Sequence, residues 1–266
     1  MTTAAGRHHQ TWAMHGVAIG LFAASAWLTA TMASAPMQGH ELSVHDAAGV
    51  ATPWMPAPGG RRLDAAVAFL AMWSPMMVAM MLPAAYPELW KYHRALRIGH
   101  APNPNRLAAV AGLGYLAYWT AVGIAVFVLG AAAMASGTHH HAPDLLPSPL
   151  VAGVVLAAGV IQLTDWKARC LALCRAAPQR HAHAVPGVHS AWVHGLRHGL
   201  HCSLCSGALM AAWLAVGMMD LQAMVLVTIA ITAERVLPGG GRVARVSGAA
   251  LIATGLVLLG QVVSRT

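Results

Sequence analysis

The segment that decides the fold runs from residue 71 to residue 83 and reads AMWSPMMVAMMLP, with five Met. It lies within a longer apolar stretch, residues 63–86, which is long enough to cross the hydrocarbon core of a bilayer as a helix. The whole chain has a matching composition: 58% of its 266 residues are hydrophobic and 9% are charged, against about 25% charged residues in a soluble domain. The sequence therefore predicts an integral membrane protein and excludes an ordinary soluble domain.

Similar apolar stretches recur along the chain, and together they predict an all-α, polytopic transmembrane helical bundle. About seven spans are expected, but only a tight turn near Asp220 separates the fifth from the sixth, so six spans are the alternative. On the seven-span topology, residues 1–62 hold the first span and an outer loop, and residues 63–266 hold six spans. The predicted spans cover residues 12–32, 63–86, 107–134, 150–166, 200–218, 221–236 and 246–263.

Basic residues orient this bundle, because Lys and Arg in short loops are retained on the cytoplasmic side of a membrane. Thirteen of the sixteen Lys and Arg residues fall on one side of the seven-span topology, which predicts a cytoplasmic N-terminus and a place in the bacterial inner membrane. Residues 7–35 also resemble a cleavable signal peptide, an alternative that leaves the next loop outside as well. The thirteen residues are Arg7, Lys91, Arg94, Arg97, Arg106, Lys167, Arg169, Arg175, Arg180, Arg197, Arg235, Arg242 and Arg245.

The four cysteines form two helical pairs that bracket one loop. Cys170 and Cys174 are four positions apart at the end of the fourth predicted span, and Cys202 and Cys205 are three positions apart at the start of the fifth. Either spacing places both thiols of a pair on one helix face, so the pairs could converge at the inner membrane surface. Four thiols in a reducing compartment indicate a soft-metal site, although buried cysteines also serve as small apolar residues.

Histidines near the cysteine pairs are further candidate ligands. His201 directly precedes Cys202, and His198 lies one helical turn before it. These and other imidazoles in the connecting loop are alternatives to one another. The other histidines of that region are His181, His183, His189 and His194. Two predicted outer loops add the potential metal donors Met37, His40, Glu41, His45, Asp46, Met55, His139, His140, His141 and Asp144.

The five methionines of the deciding segment form a row along one side of a helix. Met72, Met76 and Met80 recur every four positions, and Met77 and Met81 form an adjacent line. Thioether sulfur is a soft ligand that suits Cu(I), whereas the alternative is that Met simply fills gaps between helices. Prolines that free backbone carbonyls beside these sulfurs are Pro75, Pro83 and Pro87. Methionines of later spans that could face them are Met210, Met218, Met219 and Met224.

Ionisable residues inside the predicted spans are functional candidates, because a charge in the bilayer core is costly. Asp165 lies in the fourth span and Glu234 near the inner end of the sixth. The structural alternative for both is an ion pair with a neighbouring basic residue, such as Arg169 or Arg235. Gln162 is expected to act as a polar anchor at the membrane interface.

Four segments carry a family resemblance. They read MWSPMMVAMMLP at residues 72–83, KARCLALCR at 167–175, HGLHCSLC at 198–205 and ERVLP at 234–238. In this order and spacing, over residues 63–260, the chain resembles the DUF2182 family of predicted metal-binding integral membrane proteins. The resemblance implies that residues 63–266 form a six-span domain of metal-binding type, in a family sometimes described as copper chaperones. The family usually has Cys and Trp after the position of Cys205, where this chain has Ser206 and Gly207.

We expect a membrane protein that handles a soft transition metal, most simply Cu(I), by ligand exchange between the Met row and the Cys/His cluster. Zinc is the alternative metal, although it would leave the thioethers without a role. The other function classes are a structural or assembly subunit of a membrane complex and a membrane thiol oxidoreductase. No familiar catalytic motif is present, so an enzyme is not expected. The expected partners are the lipid bilayer and a protein that donates or accepts the metal, or a larger membrane complex; a nucleic acid is not expected.

Overall fold

The computed structural model describes residues 4–34, 61–135, 149–180, 187–218 and 220–264. These residues form eight helices and no strand, which confirms the all-α fold class. The predicted donors at residues 37–55 and 139–144 lie outside the described residues, as do His181, His183 and Met219. The helices are α1 (Ala4–Ser34), α2 (Arg62–Ile98), α3 (Pro104–Ala135), α4 (Pro149–Leu163), α5 (Asp165–Arg180), α6 (Val188–Val216), α7 (Leu221–Val236) and α8 (Gly240–Val263).

Five of these helices are long and apolar enough to cross a membrane: α1, α2, α3, α6 and α8. The pair α4 and α5 passes the same test as one broken span, which raises the number to six. The predicted span over residues 221–236 does form a helix, α7, but its 16 residues rise only about 24 Å, short of a hydrocarbon core of about 30 Å. The count of seven spans and the cytoplasmic N-terminus stay predictions.

The predicted continuous span over residues 150–166 is interrupted at Thr164, where α4 and α5 meet at 67°. The Thr164 hydroxyl donates to the carbonyl of Ile161 (2.7 Å) and accepts the backbone N–H of Lys167 (3.4 Å). A Thr side chain that serves a helix N-terminus in this way competes with continuation of the preceding helix. Because of this bend, α5 runs in a different direction from α4. It packs against α6, and its residue Lys167 is buried in the interior.

α2 holds the central position, because α1, α3 and α7 all pack against it. α1 runs antiparallel to α2: His15 contacts Tyr86 and Trp90, whereas Met32 lines a groove with Met72. The three prolines of α2 lie inside the helix and do not end it. The Met row therefore stays on one continuous helix.

Small residues bring the other helices together. A Cβ atom at Gly159 of α4 would lie 2.9 Å from the carbonyl oxygen of Gly248 in α8 and 2.7 Å from the Ile252 side chain. In α3, Gly123 lies under the indole of Trp73, whose Nε1 donates to the Trp119 carbonyl at 2.9 Å. Such close backbone contacts are typical of helices that pack in a membrane, where apolar side chains gain little by leaving lipid.

Candidate metal centre

The Met row faces the interior of the bundle. Met76, Met77, Met80 and Met81 are buried, and Met72 is half-buried. They belong to the main hydrophobic core, which α2 forms with parts of α3, α6 and α7. The periodic spacing of these residues predicted a common side of the helix, and the structure shows that this side is the inner one.

Cys202 of α6 lies in the same core and contacts Met81, the last residue of the Met row. Its Sγ atom lies 3.9 Å from the Sδ atom of Met81, 3.3 Å from the Tyr115 hydroxyl and 2.7 Å from Nη1 of Arg235. Arg235 thus places a guanidinium directly against the sulfur of this cysteine. One soft thioether and one cysteine beside a cation are thus in direct contact.

The other three cysteines form a separate buried cluster of Cys170, Cys174 and Cys205. The sulfur atoms of Cys174 and Cys205 are in direct contact, in a disulfide whose Cα atoms are 7.6 Å apart. Disulfides usually have Cα separations of about 4.4–6.8 Å. The wider spacing also suits two reduced thiols that face one common position. Cys205 Sγ lies 3.1 Å from the carbonyl oxygen of Cys170.

The two cysteine pairs thus converge only in part. Three sulfurs lie between α5 and α6, and the fourth, in Cys202, faces α2, α3 and α7. Within the described ranges, no group of three or more His, Cys, Asp or Glu side chains is placed to hold a metal ion. Methionine sulfur, which the Met row supplies in this interior, is not among those residue types.

The two predicted histidine ligands have different surroundings. His198 is buried, its ring centroid lies 5.1 Å from that of Tyr115, and it precedes Cys202 by one turn of α6. Its Nε2 atom is buried without a hydrogen-bond partner among the described residues, so this nitrogen is available to bind a metal ion. His201 is half-buried, and its backbone carbonyl oxygen lies 3.3 Å from Cys174 Sγ.

A buried polar network beside the three-cysteine cluster was not foreseen as a unit. Lys167 Nζ lies 2.7 Å from Glu234 Oε2, and each side chain is only 2% exposed. Gln162 donates to Glu234 Oε1 at 2.6 Å, and the Ser247 hydroxyl donates to the same atom at 2.8 Å. Lys167 also donates to the backbone carbonyl of Cys205. The lysine thereby ties the ion pair to the thiol cluster.

This network corrects two predictions. Glu234 forms a buried ion pair with Lys167, whereas Arg235, which was the expected partner, contacts Cys202. Gln162 is buried and hydrogen-bonded inside the bundle, not an interfacial anchor. Asp165 is exposed in the first turn of α5. A lysine within an apolar, cysteine-bearing segment was the available signal, but its partner lies 67 positions away and no local spacing identifies it.

A small pocket opens next to the thiol cluster. It is lined by Cys174 of α5, by Glu88 of α2 and by Arg235 of α7, together with Ala84, Pro87, Leu171 and Val236. Glu88 Oε1 pairs with Lys91 at 2.8 Å, and Glu88 Oε2 is buried without a partner among the described residues. The sulfur of Cys174, the carboxylate of Glu88 and the guanidinium of Arg235 therefore line one pocket.

Helices suited to a membrane and an interior rich in sulfur define the class: an all-helical protein of membrane type with soft donor atoms in its core. A family model described as PpoB2, copper chaperone, matches residues 70–258. The match takes in most of the chain, including the Met row, the four cysteines, His198 and His201, and the chain therefore belongs to this copper chaperone family. No curated protein and no solved structure matches the chain. The DUF2182 assignment stays a prediction.

Proposed function

We propose that this protein is a membrane copper carrier that passes Cu(I) by ligand exchange between the Met row and the cysteines. The observation that carries the proposal is the 3.9 Å contact between Met81 Sδ and Cys202 Sγ in a chain of the copper chaperone family. Thioethers and thiolates both select Cu(I), and the thiolate is the stronger donor because it is charged. An ion held by methionine can therefore move to Cys202 without leaving a sulfur environment.

The remaining cysteines, with the Cys174–Cys205 disulfide reduced to two thiols, supply the next positions. Cys205 follows Cys202 by one turn of α6, and its sulfur meets Cys174 at the pocket that contains Glu88. A soft ion would thus pass from the core to an opening at the thiol end of the bundle. His198, buried beside Tyr115 with an unpartnered Nε2, is the candidate additional ligand near Cys202.

We place the thiol end on the cytoplasmic side of the bacterial inner membrane, with the N-terminus cytoplasmic and about seven spans. The supporting observation is that thirteen of the sixteen Lys and Arg residues share one side of that topology. The protein is proposed to be a carrier and not an enzyme. A protein that donates or accepts copper would be its partner at the pocket.

The test is copper binding by the full chain, purified in detergent and handled under reducing, oxygen-free conditions. Met81→Leu and Cys202→Ser each remove one sulfur with little change in volume, and Met14→Leu, at a half-buried position of α1 outside this core, is the matched control. We expect each of the first two variants to transfer Cu(I) to a chelator at a rate that differs from the wild-type rate by at least about tenfold, which corresponds to about 1.4 kcal/mol in activation free energy. The control should transfer Cu(I) at the wild-type rate.

Two results would contradict the proposal. If the purified wild-type chain binds no copper, the protein is better explained as a structural or assembly subunit of a membrane complex. If it binds zinc in place of copper, and loses zinc only when cysteines are replaced, the thioether steps have no role.

A second candidate, a membrane thiol oxidoreductase, is favoured by one observation, the direct sulfur contact of Cys174 and Cys205. The proposed orientation is unfavourable to it, because enzymes of oxidative folding need their thiols outside the cytoplasm. A thiol-disulfide exchange assay with a reduced peptide substrate discriminates between the two. A carrier shows no turnover there, whereas an oxidoreductase loses turnover in Cys174→Ser.

A further inference from the structure

A second sulfur-lined site lies at the opposite end of α2 from the thiol pocket. A groove there is formed by the end of α1, the first half of α2 and the junction of α6 with α7. Five of its seven lining residues are methionines. The lining residues are Thr29, Met32, Met72, Met76, Met218, Leu221 and Met224.

The groove is distinct from the thiol cluster in position. Met72 precedes Ala84, which lines the thiol pocket, by 12 positions of one helix, a rise of about 18 Å. No cysteine and no ionisable side chain is among the residues that line the groove. Among the described residues that line it, the soft donors are therefore all thioethers, and the groove is a site separate from the thiol cluster.

The methionines of the groove range from exposed to buried. Met32 is 40% exposed and Met72 is half-buried, whereas Met76, Met218 and Met224 are buried. The sulfur-bearing residues come from three separate segments of the chain, so local helix periodicity does not account for their meeting. Leucine would fill the same volume equally well at a purely apolar contact. An open groove with five thioethers is thus better adapted to a soft ligand than to packing alone.

The chemistry of the donors restricts the ligand. Uncharged thioethers bind soft ions such as Cu(I), whereas hard divalent cations need oxygen ligands, and Zn²⁺ prefers thiolate and imidazole. The groove residues offer no carboxylate to neutralise a divalent charge, and burying such a charge unpaired is costly. Thr29 donates its hydroxyl to the carbonyl of Ser25 and is therefore occupied within α1.

We infer that this methionine groove is a Cu(I)-binding site at which the ion is loaded or released, 12 helix positions from the thiol pocket. Met76 lies one turn from Met80 on α2, so the groove joins the buried Met row that leads to Met81 and Cys202. The role in loading rests on the proposed copper-carrier function, whereas the binding of Cu(I) by the groove does not.

The experiment separates the groove from the cysteines. All four cysteines of the full chain are replaced by serine, and Cu(I) binding is measured in detergent by competition with a chromogenic Cu(I) chelator under reducing conditions. We expect this variant to retain about one Cu(I) per chain, with sulfur as the ligand atoms in X-ray absorption. Adding Met72→Leu, Met218→Leu and Met224→Leu should weaken that binding by at least about tenfold, while adding Met14→Leu, a half-buried position of α1 that does not line the groove, should not.

Retention of Cu(I) by the methionine-depleted variant, or absence of Cu(I) from the cysteine-free variant in its folded state, would overturn the inference. If the cysteine-free variant does not fold, the same three Met→Leu changes in the wild-type chain should lower the Cu(I) stoichiometry by about one. An unchanged stoichiometry there would also overturn it. Failure of the carrier proposal gives a different result, since Met81→Leu and Cys202→Ser would then leave transfer unchanged while the groove still binds Cu(I).

Discussion

Arg235, in the last turn of α7, places its Nη1 atom 2.7 Å from the Sγ atom of Cys202 in α6. The preceding residue, Glu234, forms an ion pair with Lys167. Two adjacent residues of one short helix thus fix both groups of cysteines, one through a guanidinium at Cys202 and the other through a lysine that reaches the Cys205 carbonyl. The end of α7 therefore contacts Cys202 directly and the three-cysteine cluster through Lys167.

Replacing the guanidinium tests its effect on Cys202. Arg235→Gln keeps a hydrogen-bond donor but removes the charge, and a hydrogen bond to a charged group contributes about 1.5–3 kcal/mol. We expect Cu(I) affinity to fall by about tenfold or more, measured by chelator competition at neutral pH. Arg242→Gln removes an equally charged but exposed side chain and should have no effect. Equal affinities for Arg235→Gln and wild type would show that the contact is structural.

Breaking the buried ion pair should destabilise the bundle. Lys167→Met leaves the Glu234 carboxylate buried without its cation, and removal of one partner of such a pair costs about 3–5 kcal/mol. The double variant Lys167→Met/Glu234→Gln should recover much of that loss, because no charge is left uncompensated. Denaturant unfolding in detergent gives the free energies of unfolding. Additive losses in the double variant would argue against a direct pair, and Lys91→Met, which removes a lysine whose side chain is 50% exposed, is the control.

The proximity of Cys174 and Cys205 predicts the product of oxidation. Mild oxidation of the reduced, copper-free protein should form again one intramolecular disulfide between these two residues, with Cys170 and Cys202 still reduced. Alkylation followed by peptide mass spectrometry identifies the linked pair. A disulfide that includes Cys202 would contradict the separation of the two sulfur environments, because Cys202 contacts Met81 and Arg235 and not the other thiols.

The contact of α4 with α8 depends on a glycine. Gly159→Ala places a methyl group 2.9 Å from the Gly248 carbonyl oxygen, so the helices have to separate. We expect a loss of about 1–3 kcal/mol in the free energy of unfolding, as for other overpacked interiors. The matched control is Gly153→Ala on the same helix, where a Cβ atom meets nothing within 4 Å. A Gly159→Ala variant as stable as that control would show that the helices part easily.

Much of the local structure could be predicted from the sequence. The helical class, the common side of the Met row and the bounds of α7 at residues 221–236 follow from apolar length and from spacing, and the structure agrees with each. The break at Thr164 was not predicted, because a single hydroxyl with competing hydrogen bonds leaves the apolar pattern unchanged. The metal-binding roles of the cysteines, histidines and methionines stay predictions.

Residue spacing alone was sufficient to assign residues to a common helix face, because a periodic pattern refers only to the axis of its own helix. The partners of each face became known from the packing of the helices. This packing placed Met81 against Cys202, divided the four cysteines into three and one, and paired Glu234 with Lys167 and Arg235 with Cys202. Those choices depend on how α5, α6 and α7 cross, which is set by long-range packing and by the need to neutralise buried charge.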